Sequence, residues 1–306
     1  MSGALQGFIV IAVIVGIGIV VGRLGILGPT ATRDLSRLAL AVMLPCLLVT
    51  LLMEADVGRL FSSMLVVFGL ASLVAAGAHV LVVRVLWRRA APETVVGATA
   101  ASMANAGNIG LPVAAYVLGG AAYAAPAIVL QTALLIPASI VALELAVGGS
   151  GRAPWRVAVR ALRDPILVAT AIGILLAVVP FEVPDAAIEP VRLVGQASVP
   201  VILLAFGMSL AGERPLAGGD RRDTLLASGL KLVLMPAAAW GVGLAFALPP
   251  DELLAVTVLA AMPTGQNVFA LAQRADRGTA IARDAALLTT IAAVPVLLAI
   301  TALLGG

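Results

Sequence analysis

The sequence predicts an all-α polytopic membrane protein: ten transmembrane helices in two inverted five-helix repeats, with helices 4 and 9 broken and crossing. Three observations carry this prediction. The 306 residues are 61% hydrophobic and 11% charged, with a mean hydropathy of +1.12, more apolar surface than a water-soluble fold can hide. The basic residues gather on one side of the apolar runs. Three sets of matching residues recur in the second half in the order they take in the first.

A bilayer crossing takes about 20 apolar residues. Apolar runs separated by charges and turn formers lie near 4–22, 35–53, 62–86, 93–118, 124–147, 165–180, 190–211, 224–248, 252–272 and 282–304. No Lys or Arg precedes Arg23 and no small-residue cleavage pattern follows the first run, so it reads as a retained span and not a signal peptide. Span two holds Pro45 and ends outside at Glu54 and Asp56; span three closes on Arg84, Arg88 and Arg89; span five ends at Gly148. Residues 149–164, with Arg152, Arg156, Arg160 and Arg163, form a cytoplasmic linker suited to an anionic leaflet. Span six is short and span seven opens on Arg192.

With ten alternating spans, 17 of the 19 basic residues, Lys231 among them, fall on one face, and only Arg59 and Arg192 on the other. By the positive-inside rule the first face is cytoplasmic and both termini are extracytoplasmic. The repeat is read from three matches. Arg37, Leu38, Pro45 and Met53 correspond to Arg192, Leu193, Pro200 and Met208 at an offset of 155. Glu93, Met103 and Asn108 correspond to Glu252, Met262 and Asn267 at 159, and Gln131, Thr132 and Pro137 to Thr289, Thr290 and Pro295 at 158. Five spans per half is an odd number, so the halves (1–148 and 165–306) enter the membrane from opposite sides.

The stretch Met103-Ala-Asn-Ala-Gly-Asn-Ile-Gly-Leu-Pro112 interrupts span four. Pro112 has no amide hydrogen and crowds the preceding turn, while Gly107 and Gly110 accept the backbone angles of an interruption. Its counterpart in span nine is Met262-Pro-Thr-Gly-Gln-Asn267, with Pro263 and Gly265 at the break. Peptide groups freed in hydrocarbon cost several kcal/mol each, so such breaks persist where they are packed in protein or line a wet cavity. Paired broken helices in inverted halves point to a midplane site whose helix N-termini favour an anion. Asn105, Asn108, Thr264, Gln266 and Asn267 are placed to bind a carboxylate or to cap the broken ends, and both roles stay open. Gln131, Thr132, Thr289 and Thr290 are the polar residues of spans five and ten expected to face the same cavity.

Charges inside spans are few. His79 and Glu144 are the deepest candidates and the only coupling candidates; each lies within about two turns of a span end, where snorkelling or water contact is the simpler expectation. The net charge of +3 is dispersed between apolar runs, which argues against a nucleic-acid partner. Cys46 is the single cysteine and His79 the single histidine, no residue set has metal-ligand spacing, and no nucleotide-binding glycine loop occurs. No metal, no cofactor and no catalytic residue is expected.

Ten spans, outside termini and the run Asn105-Ala-Gly-Asn-Ile-Gly-Leu-Pro112 together resemble the auxin efflux carrier (PIN-like) family, including its bacterial malonate-type branch. The resemblance covers nearly the whole chain; the Asn-x-x-Asn-x-Gly-x-Pro run is its most specific part. It implies crossed helices four and nine, a scaffold of spans 1, 2, 6 and 7, a mobile transport unit of spans 3–5 and 8–10, and a homodimer through the scaffold. It further implies Asn105 and Asn108 as substrate-facing residues, Pro112 and Pro263 as crossover prolines, and residence in a plasma membrane, here a bacterial inner membrane. The long cytoplasmic loop of the long plant carriers is missing, so auxin itself is not implied. The expected function is secondary transport of a small organic anion by elevator-like alternating access. The alternatives are a cation/proton antiporter or sodium-coupled symporter on the same fold, and, further off, an intramembrane enzyme or sensor.

Overall fold

A computed structural model describes residues 2–28, 30–54, 62–110, 113–114, 117–148, 165–179, 183–211, 216 and 221–304. Pro112, the linker 149–164 and the side chain of Asn108 lie outside the described set. Helices α1 (Ser2–Leu24), α4 (Ala91–Ser102), α6 (Pro165–Val178), α9 (Pro250–Ala260) and α10 (Gln266–Ala275) are accompanied by six others. These are α2 (Ala31–Met53), α3 (Ser63–Trp87), α5 (Pro126–Val147), α7 (Asp185–Met208), α8 (Arg221–Ala245) and α11 (Thr279–Leu304). Those six are long and apolar enough to cross a membrane. Predicted span four begins as α4, span nine is divided into α9 and α10, and span ten is α11.

Proline shapes the long helices. Pro45, Pro137 and Pro236 each follow a π turn, at Ala39–Met43, Gln131–Leu135 and Leu230–Leu234. Proline removes one backbone donor and crowds the carbonyl four residues back; the wider turn relieves that crowding. Two of these turns carry the polar side chains Gln131 and Lys231 into the interior.

Packing divides by neighbour. Helix α1 lies along α7, and α2 lies along α6 and α7. The α1–α7 approach depends on glycine, since a Cβ on Gly207 would sit 2.9 Å from Gly18 Cα. Helix α3 packs on α4, α8 and α9, and α11 packs on α4, α8, α9 and α10. One apolar core gathers Val67, Phe68 and Ala71 of α3 with Ile109 and Leu259–Met262; another gathers Val96 and Ala100 with Val268–Ala272 and Ala282. Phe206 meets Phe269 edge to face at 5.6 Å, joining α7 to α10. Large apolar side chains also point outward, among them Val13, Leu73, Leu86, Leu175, Val233, Ile291 and Leu303. Small and polar side chains inside with bulky apolar ones outside is the arrangement a lipid solvent favours.

Candidate functional site at the paired helix breaks

Helix α4 stops at Ser102 because Met103 turns extended (φ −92°, ψ 122°). Helix α9 stops at Ala260, and Gly265 is extended before α10 begins. The two extended segments pair antiparallel, with Ala104 opposite Thr264. Asn105 N donates to Pro263 O at 2.7 Å and Gly265 N donates to Met103 O at 3.2 Å. Side chains take the remaining groups: Ala104 N donates to Gln131 Oε1 (2.8 Å) and Thr264 N to Thr289 Oγ1 (2.9 Å). The contacts correspond between halves. Residue 104 maps to 264 and 103 to 263, an offset of 160 and not the 159 read from Met103/Met262 and Asn108/Asn267. The sequence match aligned methionines; in the backbone Met103 pairs with Gly265 and Asn105 with Pro263, so that Met103 O and Pro263 O are the equivalent acceptors.

The last carbonyls of the two helices ending here are treated differently. Thr264 Oγ1 donates to Ala100 O at 2.8 Å. At the corresponding position, Lys231 Nζ of α8 donates to Ala260 O at 2.5 Å and lies 3.2 Å from Met235 Sδ. Lys231 is wholly buried. Its expected place on the cytoplasmic face is thereby corrected: it sits ten residues inside α8, against the partial negative charge of a helix C-terminus.

In front of the breaks lies a small cavity of about 80 Å³, open to solvent on one side. Met103 to Gly107 and Gly265 to Asn267 line it, with Gln131 and Thr132 of α5, leucines of α2, and Ser198, Val199 and Ile202 of α7. No charged side chain is in the described lining. Asn105 Nδ2 and Ser198 Oγ are buried there without a hydrogen-bond partner. Gly265 brings no side chain to cap α10, and a Cβ on it would approach Ala104 O to 3.3 Å. The N-terminus of α10 therefore opens on the cavity with its positive dipole end uncapped by the preceding residue.

Of the residues expected to bind substrate, Asn105, Gln131, Thr132, Gln266 and Asn267 meet at this cavity. Thr264 does not line it; both its hydroxyl and its amide serve the break. Thr289 likewise holds the frame, and Thr290 bonds Ala286 O within its own helix. Asn108 belongs to the π turn Ala106–Gly110, with Gly107 exposed beside the cavity and Gly110 packed toward Leu259.

The two coupling candidates lie elsewhere. Glu144 is half-buried, 3.7 Å from Arg274. His79 neither snorkels nor meets water: it is fully buried, both ring nitrogens lack partners, and the ring fills the space beside Gly97 of α4. Ser198 and Lys231 are the site residues that sequence reasoning missed. Lys231 had a signal, an isolated cation between leucines seven residues into predicted span eight; Ser198 had only its nearness to Pro200.

Known proteins agree with this picture. The family model described as "Membrane transport protein" matches residues 154–301. An "Uncharacterized transporter" of Methanothermobacter thermautotrophicus is 26% identical over 295 residues, covering 94% of each chain. With its apolar spans and inward-facing polar break, the chain is similar to membrane transport proteins over residues 154–301 and to a named transporter over nearly its whole length.

Proposed function

We propose that the protein is a secondary carrier for a small organic anion, a mono- or dicarboxylate, working by alternating access. The observation that carries this reading is the convergence of donors without acceptors on an uncharged cavity. The N-terminus of α10, the unpartnered Nδ2 of Asn105 and the unpartnered hydroxyl of Ser198 all meet there. A carboxylate accepts several such bonds at once, and charge-assisted bonds are about twice as strong as neutral ones.

The hydrogen-bond correspondence at an offset of 160 supports reading 1–148 and 165–306 as two inverted repeats of five spans. In that reading α1, α2, α6 and α7 are the scaffold, and the remaining helices slide against it as an elevator. Leucines of α2 and the 198–202 segment of α7 form one wall of the cavity while the breaks form the other, which supports placing the substrate between the two units. The ion pair Arg192–Glu54 (2.8 Å) joins residues assigned to the outer face, and Arg89–Asp223 (2.7 Å) joins residues assigned to the cytoplasmic face. Each pair joins two residues that the proposed topology puts on the same side of the membrane. A cation antiporter would call for carboxylates at the break, and the described lining holds none.

Purified protein in liposomes is expected to take up labelled malonate, malate, lactate or an indole carboxylate. The double variant Asn105→Ala/Asn108→Ala is expected to lower uptake at least about tenfold, the loss of roughly one charge-assisted hydrogen bond. Undiminished uptake by that variant would overturn the site.

A further inference from the structure

Lys231 is an ionisable group without a counter-charge. It is wholly buried and held by one carbonyl, Ala260 O, at 2.5 Å. Among the described residues no carboxylate forms an ion pair with it. On α8 itself Arg221 and Arg222 stand at the far end, and Asp223, about 12 Å away along the helix, is bridged to Arg89. On α11 Asp284 is bonded to Arg283 at 2.8 Å and to Leu216 N. On α9 Asp251 and Glu252 sit in the first turn, with Ala260 at the other end. On α4 Glu93 is likewise in the first turn, and on α3 the titratable groups are His79, set against Gly97, and Arg84, bonded to Arg89 O.

Across the break the situation is complementary. Five residues separate Ala260 from Gln266, and the described cavity lining holds donors but no charge. An anion in the cavity would bring a counter-charge to the break whose other end Lys231 caps at Ala260 O. Two such sites are linked, so occupancy of one favours occupancy of the other by the same factor. Lys231 also continues a polar strip along α8. Ser228, Thr224 and Asp223 share its buried face of α8 and lead to the Arg89 end, and the Ser228 hydroxyl is buried without a partner.

We propose that Lys231 is the proton-carrying residue of the transport cycle: its amine takes up a proton when the organic anion enters the cavity and releases it when the anion leaves. One proton then moves with each anion, in the same direction, and no sodium ion is needed. Proton and anion each bind and leave unchanged, with no bond made or broken apart from N–H. The inference rests on the proposed carrier function and adds its coupling ion.

The test uses the full chain in liposomes with labelled malonate, no sodium, and protein-free liposomes as the leak control. With 1:1 coupling and the membrane potential clamped at zero, a one-unit pH gradient, acid outside, is expected to sustain about a tenfold accumulation. Lys231→Arg keeps a donor for Ala260 O with a permanent charge, so it is expected to exchange malonate without accumulating it. Because that variant can fail to fold, wild-type protein in weakly buffered detergent with a pH dye is the second measurement, and net proton uptake on malonate addition is expected. Malonate transport indifferent to the pH gradient, or malonate binding without proton uptake, overturns the coupling and leaves the carrier function standing. Full pH-driven accumulation by Lys231→Arg overturns the assignment to Lys231. Absence of transport of every carboxylate under every gradient overturns the carrier function itself.

Discussion

The two helix breaks solve one backbone problem with different chemistry. In both, the carbonyl at the end of the arriving helix and the amide at the centre of the extended segment need partners that hydrocarbon cannot supply. The amides are served alike, Ala104 N by Gln131 and Thr264 N by Thr289. The carbonyls are not: Ala100 O receives a hydroxyl from Thr264, and Ala260 O receives the ionisable amine of Lys231. The departing segments differ too, a π turn at Ala106–Gly110 after the first break and the ten-residue α10 after the second. Hydrogen-bond satisfaction is thus the shared requirement, while charge and dipole are concentrated in the second half. An anion held here is drawn mainly by that half.

The sharpest way to break this comparison is to remove the two amide acceptors separately. Gln131→Leu and Thr289→Val each orphan a buried N–H, at about 1–3 kcal/mol of stability. Gln131 also lines the cavity, whereas Thr289 does not. Gln131→Leu is therefore expected to lower the thermal midpoint and to weaken malonate uptake severalfold beyond that of Thr289→Val, measured per folded molecule. Equal transport by the two variants would mean that Gln131 serves the frame alone. A smaller effect is expected from Thr264→Val, which removes the hydroxyl bond to Ala100 O and keeps side-chain volume. Its cost, about 1 kcal/mol, should be the same at pH 6 and pH 8 in thermal unfolding, because no charge is involved. A pH-dependent cost would show that the two carbonyl caps are not independent.

Much of this was legible in the sequence, and the misses have physical causes. Both breaks and the polar residues beside them were found from Pro, Gly, Asn and Gln in apolar runs, since such residues are costly in lipid without a purpose. Five of the predicted site residues, Asn105, Gln131, Thr132, Gln266 and Asn267, do line one cavity. Thr264 was placed at the right break with its role left open, because residue type does not tell whether a hydroxyl faces a ligand or a carbonyl. Lys231 was misplaced by counting it with loop cations, although its position inside predicted span eight made it an exception to explain. Ser198 comes from α7, and packing between helices distant in sequence leaves no local pattern to read. The register slip from 159 to 160 has the same origin: side-chain likeness tolerates a one-residue shift, and a paired backbone does not.

The smallest expected effect lies outside the spans and separates the break from its surroundings. Tyr123, in the turn Ala121–Ala124 before α5, donates its hydroxyl to Asp251 Oδ2 at 2.6 Å, tying that turn to the first turn of α9. The bond holds the Asp251 carboxyl below its usual value of 3.8 and the Tyr123 phenol above 10.0. A lowered carboxyl contributes stability that is complete above its unfolded value and is lost as the pH falls through the folded one; a raised phenol contributes stability that is lost as the pH rises through its folded value. Both groups are exposed, so solvent screens the pair. Tyr123→Phe is expected to lower the thermal midpoint by on the order of a degree at pH 7, with the difference from the wild type shrinking as the pH falls below 3.8. Malonate uptake should be unchanged, since neither residue lines the cavity. A loss of uptake in Tyr123→Phe would mean that the entry to α9 controls the break at its other end, and the two breaks would then differ in their mechanical supports as well as in their charge.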